Sequence, residues 1–316
     1  MKNQMSQVPA HLSRREFTQV AAAAIAYGAH SLNAADSNDA DYIDAHVHVW
    51  TPDTQKYPLA KGFTKADMNP KSFTPDELFK HCRPNGVSRI VLIQMSYYQT
   101  DNSYMLAAMR DFPGVFSGVG IVDEHESPVE HMKRLAEKGV RGFRIRPKGK
   151  RPEEWLAGDN MQAMWRCGAD NNLAMCHLID ANYLPSVQDM CRKHPETPVV
   201  IDHFARIGVD GEIRDSDVTA LCRLAKWKNT YVKVSAFYAL GKKKAPYDDL
   251  IPMIRRVLDA FGPERLMWAS DGPFQVVDGH QYGPSIDLIR SRIEFLSPSD
   301  RDWLLRKTAE KVYFAA

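Results

Sequence analysis

The chain has 316 residues, of which 44% are hydrophobic and 25% are charged, and its formal net charge is +2. This composition is ordinary for a globular domain. Lys2, Arg14 and Arg15 against Glu16 account for the charge excess, so the rest of the chain is near neutral. A near-neutral body argues against a nucleic-acid partner, which requires a basic face. The chain also holds no uninterrupted run of the ~20 apolar residues that a membrane span needs.

The first 35 residues have the layout of an export signal. A twin-arginine pattern stands at 13–17 (SRREF), a small apolar run follows at 20–29, and small residues at 31–35 offer a cleavage site. We therefore predict a cleavable twin-arginine-type leader over residues 1–35 and a periplasmic location for the mature protein. A frayed, alanine-rich helix at the N-terminus is the alternative.

The five cysteines do not form a metal-binding or disulfide framework. Their number is odd, and no close pair has the spacing of metal ligands. They are Cys82, Cys167, Cys176, Cys191 and Cys222. We interpret most of them as buried thiols, and a single disulfide stays open as an alternative.

From residue 41 to the end, short apolar runs alternate with helical patterns. The runs are rich in Val and Ile and almost continuously apolar, which is typical of strands covered on both faces. Eight runs are predicted as strands, at 42–49, 89–95, 115–122, 140–145, 174–178, 199–203, 231–235 and 265–270. Helices between them are predicted to begin at capping patterns at Thr74, Ser127 and Ser297. Gly139 and Gly262 are predicted to end two of these helices.

The strict alternation of strand and helix predicts parallel strands joined by right-handed crossovers. Eight such units over residues 41–316 match a single closed (β/α)₈ barrel. An open, doubly wound sheet is the alternative, and it would show a glycine-rich phosphate loop after its first strand. The first strand ends instead in the sequence HVHVW at 46–50, so the barrel is the preferred fold.

Polar side chains stand where the predicted strands end, which is the edge at which such a barrel carries its reactive groups. The first strand carries His46 and His48, the fifth ends near His177, the sixth ends at His203, and the eighth leads into Asp271. Residues two apart share a strand face, so both imidazoles of the first strand can point into the barrel mouth. A lone histidine at a strand end is more often structural. Five such groups form an N/O set suited to zinc or a similar ion and to acid–base catalysis.

Arginines and a tyrosine stand beside these residues. Arg144 and Arg146 share a face at the end of the fourth strand, and Arg206 follows the sixth. A guanidinium is a planar fork that suits a carboxylate, so we predict a clamp for a substrate carboxylate. Salt bridges at the barrel rim are the alternative for each arginine. Tyr97 or Tyr98, past the second strand, is predicted to join the pocket.

Four segments carry a resemblance to a known family. They are 43–50 (IDAHVHVW), 200–203 (VIDH), 232–235 (VKVS, in which Lys233 and Ser235 share a face) and 265–273 (RLMWASDGP). On these segments the chain resembles the amidohydrolase-related family, and within it the branch of sugar lactonases and 2-pyrone-4,6-dicarboxylate lactonase. The resemblance spans nearly all of the chain after the leader and implies an amidohydrolase-type barrel with hydrolase activity.

The resemblance also implies a ligand set. His46, His48, His177 and Asp271 would surround one divalent metal, with zinc as the first choice, and His203 would face the water or the substrate carbonyl. The fourth strand lacks the Lys or Glu that bridges two metals, so we expect no binuclear site. Members of the lactonase branch also work without a metal, so the resemblance allows one ion or none.

Hydrolysis of a lactone is the reaction that the resemblance implies for these residues. Asp271 would take a proton from the attacking water and return it to the departing alkoxide. The substrate would be a small molecule, carboxylated or derived from a sugar. Two alternatives stay open: a metal-dependent decarboxylase of an unsaturated or aromatic acid, and an exported binding protein without catalysis. We expect neither nucleic acid nor membrane as a partner, and a homo-oligomer stays open.

Overall fold

A computed structural model describes residues 40–315, and eight parallel strands in sequential order form its single sheet. The strands are β1 (Tyr42–Val47), β2 (Val87–Ile93), β3 (Phe116–Gly120), β4 (Val140–Ile145), β5 (Ala174–His177), β6 (Val199–Ile201), β7 (Thr230–Ser235) and β8 (Leu266–Ala269). This order confirms the predicted eight-stranded parallel barrel. The predicted leader, residues 1–35, lies outside the described residues.

Ten helices with intervening short turns cover the sheet in the described range. They are α1 (Pro75–Cys82), α2 (Ser103–Asp111), α3 (Pro128–Ala136), α4 (Asp159–Asn171), α5 (Leu184–Lys193), α6 (Asp215–Arg223), α7 (Ile251–Phe261), α8 (Tyr282–Asp287), α9 (Pro298–Asp302) and α10 (Thr308–Tyr313). Capping boxes are present at Thr74 with Glu77 and at Ser297 with Asp300, as predicted. The capping box predicted at Ser127 is wrong, because this residue has a φ of 42° and its side chain makes no cap hydrogen bond within the described residues.

The barrel closes between β8 and β1 at the carboxyl ends of the strands. Val47 and Gly272 form a parallel bridge there. The backbone N–H of Asp271 donates to the carbonyl oxygen of His46 at 2.9 Å. This closure fixes the ends of the first and last strands, and with them two of the predicted site residues, next to each other.

A bulge in β1 turns His46 and the following His48 toward the barrel interior. Asp44 pairs with Ile90 and Val47 pairs with Leu92, so three steps along β1 match two along β2. Such an irregularity shifts the alternation of inward and outward side chains by one position. Inward positions are odd-numbered before the bulge and even-numbered after it, which brings His46 in β1 and His48 directly after β1 to the inner face.

Apolar side chains fill the lower barrel, and α10 closes it. The interior cluster contains Ile43, Ala45, Val91, Ile93, Val119, Ala174, Cys176, Val200, Met267 and Ala269, together with Tyr313 of α10. Helix α10 is held at the strand starts by the ion pair between Arg89 and Glu310 at 2.9 Å. A second apolar layer lies between the strands and the outer helices. Polar groups are therefore concentrated at the carboxyl ends of the strands.

All five cysteines are unpaired, and four of them are buried, which confirms the interpretation as thiols. Within residues 40–315, no helix combines the length and the apolar character that crossing a membrane requires.

Candidate active site

Four of the five predicted reactive residues meet at the carboxyl ends of β1, β6 and β8. His46 Nε2 and His48 Nε2 are 3.3 Å apart, and each lies 3.5 Å from Asp271 Oδ1. His203 Nε2 lies 3.7 Å from Asp271 Oδ2. All four side chains are buried. We call the group formed by His46, His48, His203 and Asp271 the cup.

Left-handed backbone conformations aim the residues that follow β6 and β8. His203 has a φ of 52° and Asp271 a φ of 63°. This region is uncommon for residues other than glycine and costs roughly 1–2 kcal/mol per residue. Because the chain turns at this point, the consecutive side chains of Asp202 and His203 both approach His46. A regular strand would send one of them to the opposite face.

One hydrogen bond determines what His48 presents to the cup, and a second one orients the ring of His203. His48 Nδ1 lies 2.9 Å from the carbonyl oxygen of Ile93. A carbonyl oxygen only accepts, so Nδ1 carries the proton and Nε2 offers a lone pair. His203 Nδ1 lies 2.8 Å from Ser235 Oγ. Burial lowers the pKa of both imidazoles, so both rings are neutral near pH 7.

Asp271 is held as an ionised carboxylate with one oxygen free. Tyr238 donates its hydroxyl hydrogen to Oδ2 at 2.7 Å. Burial raises the pKa of the Asp271 carboxyl, but the neighbouring imidazoles, that of His203 foremost, outweigh burial and lower that pKa below its usual value. Oδ1 is buried and accepts no hydrogen bond from the described residues. Tyr238 is not among the site residues predicted from the sequence, and its place shortly after β7 is the signal that points to it.

A buried ion pair lies beneath the cup. Lys233 Nζ is 3.1 Å from Asp202 Oδ1, and Arg144 Nε is 3.8 Å from Asp202 Oδ2. Burial raises the pKa of the Asp202 carboxyl, but the neighbouring Lys233 outweighs it and holds that pKa well below its usual value. Asp202 also lies 3.4 Å from His46 Nδ1. Asp202 is not among the site residues predicted from the sequence, although it immediately precedes a predicted site histidine.

His177 does not reach the cup. Its ring packs against Trp155 and Trp165, with centroid separations of 5.6 and 5.4 Å. Neither ring nitrogen has a hydrogen-bond partner within residues 40–315, and burial lowers the pKa of His177 to about 3. Cys176 faces the barrel interior, so regular alternation sends the next side chain toward the helices. This placement contradicts the prediction that His177 is a metal ligand.

Tyr97 is the second predicted site residue that lies elsewhere. Its hydroxyl donates to the carbonyl oxygen of Asp67 at 2.9 Å, and its ring packs on Trp50 and Phe63 at centroid separations of 5.2 and 5.6 Å. Tyr97 therefore anchors the loop that follows β1. It is absent from the cavity wall in the described range, and so is Tyr98, which corrects the prediction that either contacts the substrate.

A cavity of about 220 Å³ opens above the cup. All three predicted arginines line it: Arg144, Arg146 and Arg206. Arg144 Nη1 lies 3.5 Å from His48 Nε2, and Arg206 Nη1 pairs with Asp180 Oδ1 at 3.1 Å. The rest of the wall is mainly apolar, with Met95, Leu178, Val209, Leu240 and Phe274. The cavity thus combines guanidinium groups and an apolar wall with the reactive groups of the cup.

The cup has the dimensions of a metal site with three protein ligands. Tetrahedral zinc separates neighbouring ligand atoms by roughly 3.3–3.6 Å, given its usual bond lengths. The three distances among His46 Nε2, His48 Nε2 and Asp271 Oδ1 are 3.3, 3.5 and 3.5 Å. His46, Asp202 and His203 form a second group of comparable closeness. The residues present therefore fit one divalent ion with an open position for substrate.

Comparisons with known proteins identify the family of the chain and enzymes of similar sequence. The sequence profile of the amidohydrolase family matches residues 43–315. The chain is 26% identical to an L-fucono-1,5-lactonase of Burkholderia ambifaria, over 75% of this chain and 82% of that protein. It is also 26% identical to a 2-pyrone-4,6-dicarboxylate hydrolase of Comamonas testosteroni, over 81% of this chain and 84% of that protein.

Solved structures share the fold. An amidohydrolase from Burkholderia multivorans with bound zinc matches with a TM-score of 0.73 at 23% identity, covering 88% of this chain and 100% of that one. A 2,6-dihydroxybenzoate decarboxylase from Rhizobium matches with a TM-score of 0.64 at 11% identity, covering 87% and 99%. Decarboxylases are thus more distant neighbours than the lactone hydrolases.

Proposed function

We propose, from the premise that the chain belongs to the amidohydrolase family, that this enzyme hydrolyses the lactone of a sugar acid or of a carboxylated ring. The position of Asp271 carries the proposal. Its carboxylate is ionised, one oxygen is held by Tyr238, and the other faces two histidines beneath a cavity lined by arginines. The lactonase names of the relatives support the same reaction.

Asp271 acts as the proton shuttle. A water beside the Asp271 carboxylate loses a proton to it as the water oxygen attacks the lactone carbonyl carbon. The ring C–O bond then breaks, and Asp271 returns the proton to the departing alkoxide. The product is a hydroxy acid, and the carboxylate is regenerated. His203, with Nε2 at 3.7 Å from Asp271 Oδ2, is placed to orient that water.

Hydrogen-bond donors at the cup stabilise the negative charge that develops on the carbonyl oxygen. Arg144 Nη1 points to the same region, since it lies 3.5 Å from His48 Nε2. When a divalent ion is bound, with zinc as the first choice, His46, His48 and Asp271 would hold it, and the ion would polarise the carbonyl as a Lewis acid. The chain's own contribution is to position water, carbonyl and proton acceptor within one small volume.

The arginines supply substrate recognition in this proposal. Arg144, Arg146 and Arg206 line one cavity, and a guanidinium binds a carboxylate through two parallel hydrogen bonds. The apolar wall and the volume of about 220 Å³ suit a single small ring. Among compact lactones, the arginines therefore favour those that carry a carboxylate outside the ring ester.

Incubation with a set of lactones tests this function. Sugar-acid lactones and carboxylated pyrones are offered to the purified protein, with and without a chelator, and acid release at constant pH is followed together with carbon dioxide. We expect acid release from ring opening and no carbon dioxide. Carbon dioxide without ring opening would establish a decarboxylase instead. Tight binding of an acid without turnover would establish a binding protein.

Export is a separate proposal that rests on the twin-arginine pattern at 13–17. A leader of this type carries folded proteins, which suits an enzyme that binds a metal before export. Expression of the full chain in a bacterium, followed by N-terminal sequencing of the periplasmic product, tests it. We expect a mature N-terminus near residue 36, and an intact chain in the cytoplasm would contradict the proposal.

A further inference from the structure

We propose that Lys233 selects the tautomer of His46 and thereby holds the cup in a form that disfavours a metal ion. Lys233 is a positioning residue, because it lies beneath the cup and is not part of the cavity wall in the described range. The proposal rests on the proposed active site. It does not depend on lactone hydrolysis, because it concerns only proton positions and metal affinity.

The surroundings of Lys233 leave its ammonium few partners. The side chain is fully buried inside the barrel. Above it, Nζ lies 3.1 Å from His46 Nδ1 and 3.1 Å from Asp202 Oδ1. Below it, the ring of Tyr313 from α10 lies 5.5 Å away, in the range of a cation–π contact. Lys233 is therefore fixed between an aromatic floor and the ring of a cup histidine.

The contacts define one direction of hydrogen bonding through the cup. An ammonium only donates, so His46 Nδ1 accepts from Lys233, and a neutral His46 then carries its proton on Nε2. His48 is complementary, because its bond to Ile93 leaves a lone pair on Nε2. The two Nε2 atoms are 3.3 Å apart. A continuous chain of hydrogen bonds thus runs from Lys233 through His46 and His48 to the carbonyl oxygen of Ile93, and each group donates to the next.

This proton arrangement opposes metal binding. A metal ion needs the lone pair of His46 Nε2, so the proton has to move to Nδ1. The acceptor for it there is Asp202 Oδ1 at 3.4 Å, the kind of carboxylate partner that stands behind metal-bound histidines. Lys233 and Asp202 therefore compete for one ring nitrogen. Lys233 favours the metal-free tautomer, and Asp202 favours the metal-binding one.

Two measurements on Lys233→Met test the proposal without turnover. In metal-free protein with ¹⁵N-labelled histidine, the His46 signals, assigned by their loss in His46→Gln, should show the proton on Nε2 in the wild type and on Nδ1 in the variant. Zinc affinity, from competition with a chromophoric chelator, should be about tenfold higher in the variant or more, the size of effect that second-shell partners have. Lys228→Met removes an exposed lysine and should match the wild type in both measurements.

A second variant covers the case in which Lys233→Met fails to fold because Asp202 is left as an unpaired buried charge. The double variant Lys233→Met/Asp202→Asn removes both charges and keeps an amide oxygen as acceptor for His46 Nδ1. It should show the same tautomer change and tighter zinc binding. A wild-type His46 protonated on Nδ1, or equal zinc affinity in the wild type and the folded variants, would overturn the proposal. Tighter zinc binding with an unmoved proton would also overturn it, since a general loss of positive charge would explain that result.

Discussion

The ends of β5 and β6 lie side by side in the barrel and each delivers a histidine, but only one of these serves the cup. His177 closes β5 on the helix-facing side and packs against Trp155 and Trp165. His203 follows β6 in a left-handed turn and reaches within 3.7 Å of Asp271. A histidine at a strand end therefore becomes a site residue only where the alternation of side chains or a backbone turn directs it into the barrel.

The two histidines also differ in their partners. Burial lowers the pKa of both rings. The charged Asp271 beside His203 opposes the effect of burial, and the hydrogen bond to Ser235 orients the ring. The ring of His177 makes no hydrogen bond within residues 40–315. One histidine is therefore held beside the proposed proton shuttle, and the other is part of the packing against the tryptophans.

The largest expected loss of activity follows from replacing Asp271, the carboxylate that the three histidines of the cup surround. Asp271→Asn should lower kcat/KM for a hydrolysed lactone by roughly 10³-fold or more, within the range of lost acid–base catalysis, with unchanged circular dichroism. Asp189→Asn, an exposed carboxylate on α5, serves as the control and should be fully active. Turnover within tenfold of the wild type in Asp271→Asn would break the account.

The matched variants His203→Asn and His177→Asn test whether only one of the two strand-end histidines serves the reaction. Loss of His203 should lower kcat by about 10²-fold, because the water loses the group that orients it. Loss of His177 should leave kcat and KM within a few-fold of the wild type. Steady-state kinetics on the same lactone measures both variants, and equal losses would refute the difference between the two strand ends.

The burial of His177 predicts a loss of folding stability in acid. The unfolded chain binds a proton on His177 near pH 6.5, whereas the folded chain, with a pKa of about 3 for this ring, does not. Folding stability should therefore fall as the pH drops below 6.5, by about 3 kcal/mol at pH 4 from this residue. Urea unfolding at pH 7 and pH 4 measures it. His177→Leu should lose less stability between these pH values, and an identical loss would contradict the assignment.

The smallest effect concerns the hydroxyl that holds Asp271. Tyr238→Phe removes one hydrogen bond to a charged group, worth roughly 1.5–3 kcal/mol, and should lower kcat about tenfold with the fold intact. Tyr183→Phe removes a hydroxyl that donates to Lys150 O outside the cavity and is the control. An unchanged kcat in Tyr238→Phe would show that its contact with Asp271 does not matter to the reaction.

The sequence was sufficient to predict the barrel, because eight apolar runs and their spacing determine strand number and order. It also indicated His46, His48 and Asp271. These residues lie at the carboxyl ends of the first and last predicted strands, and these two strands are neighbours in any closed barrel. It did not reveal which way His177 points, because a four-residue strand gives no alternation to read. The left-handed turn at His203, which also brings Asp202 inward, depends on tertiary packing.

A crystal structure with an unreactive cyclic amide in place of the lactone tests directly whether the substrate reacts at the cup. We expect the amide carbonyl oxygen within hydrogen-bonding distance of His46 or Arg144, and the carbonyl carbon next to the Asp271 carboxylate and His203. An analogue bound beside His177, or outside the cavity above the cup, would contradict it.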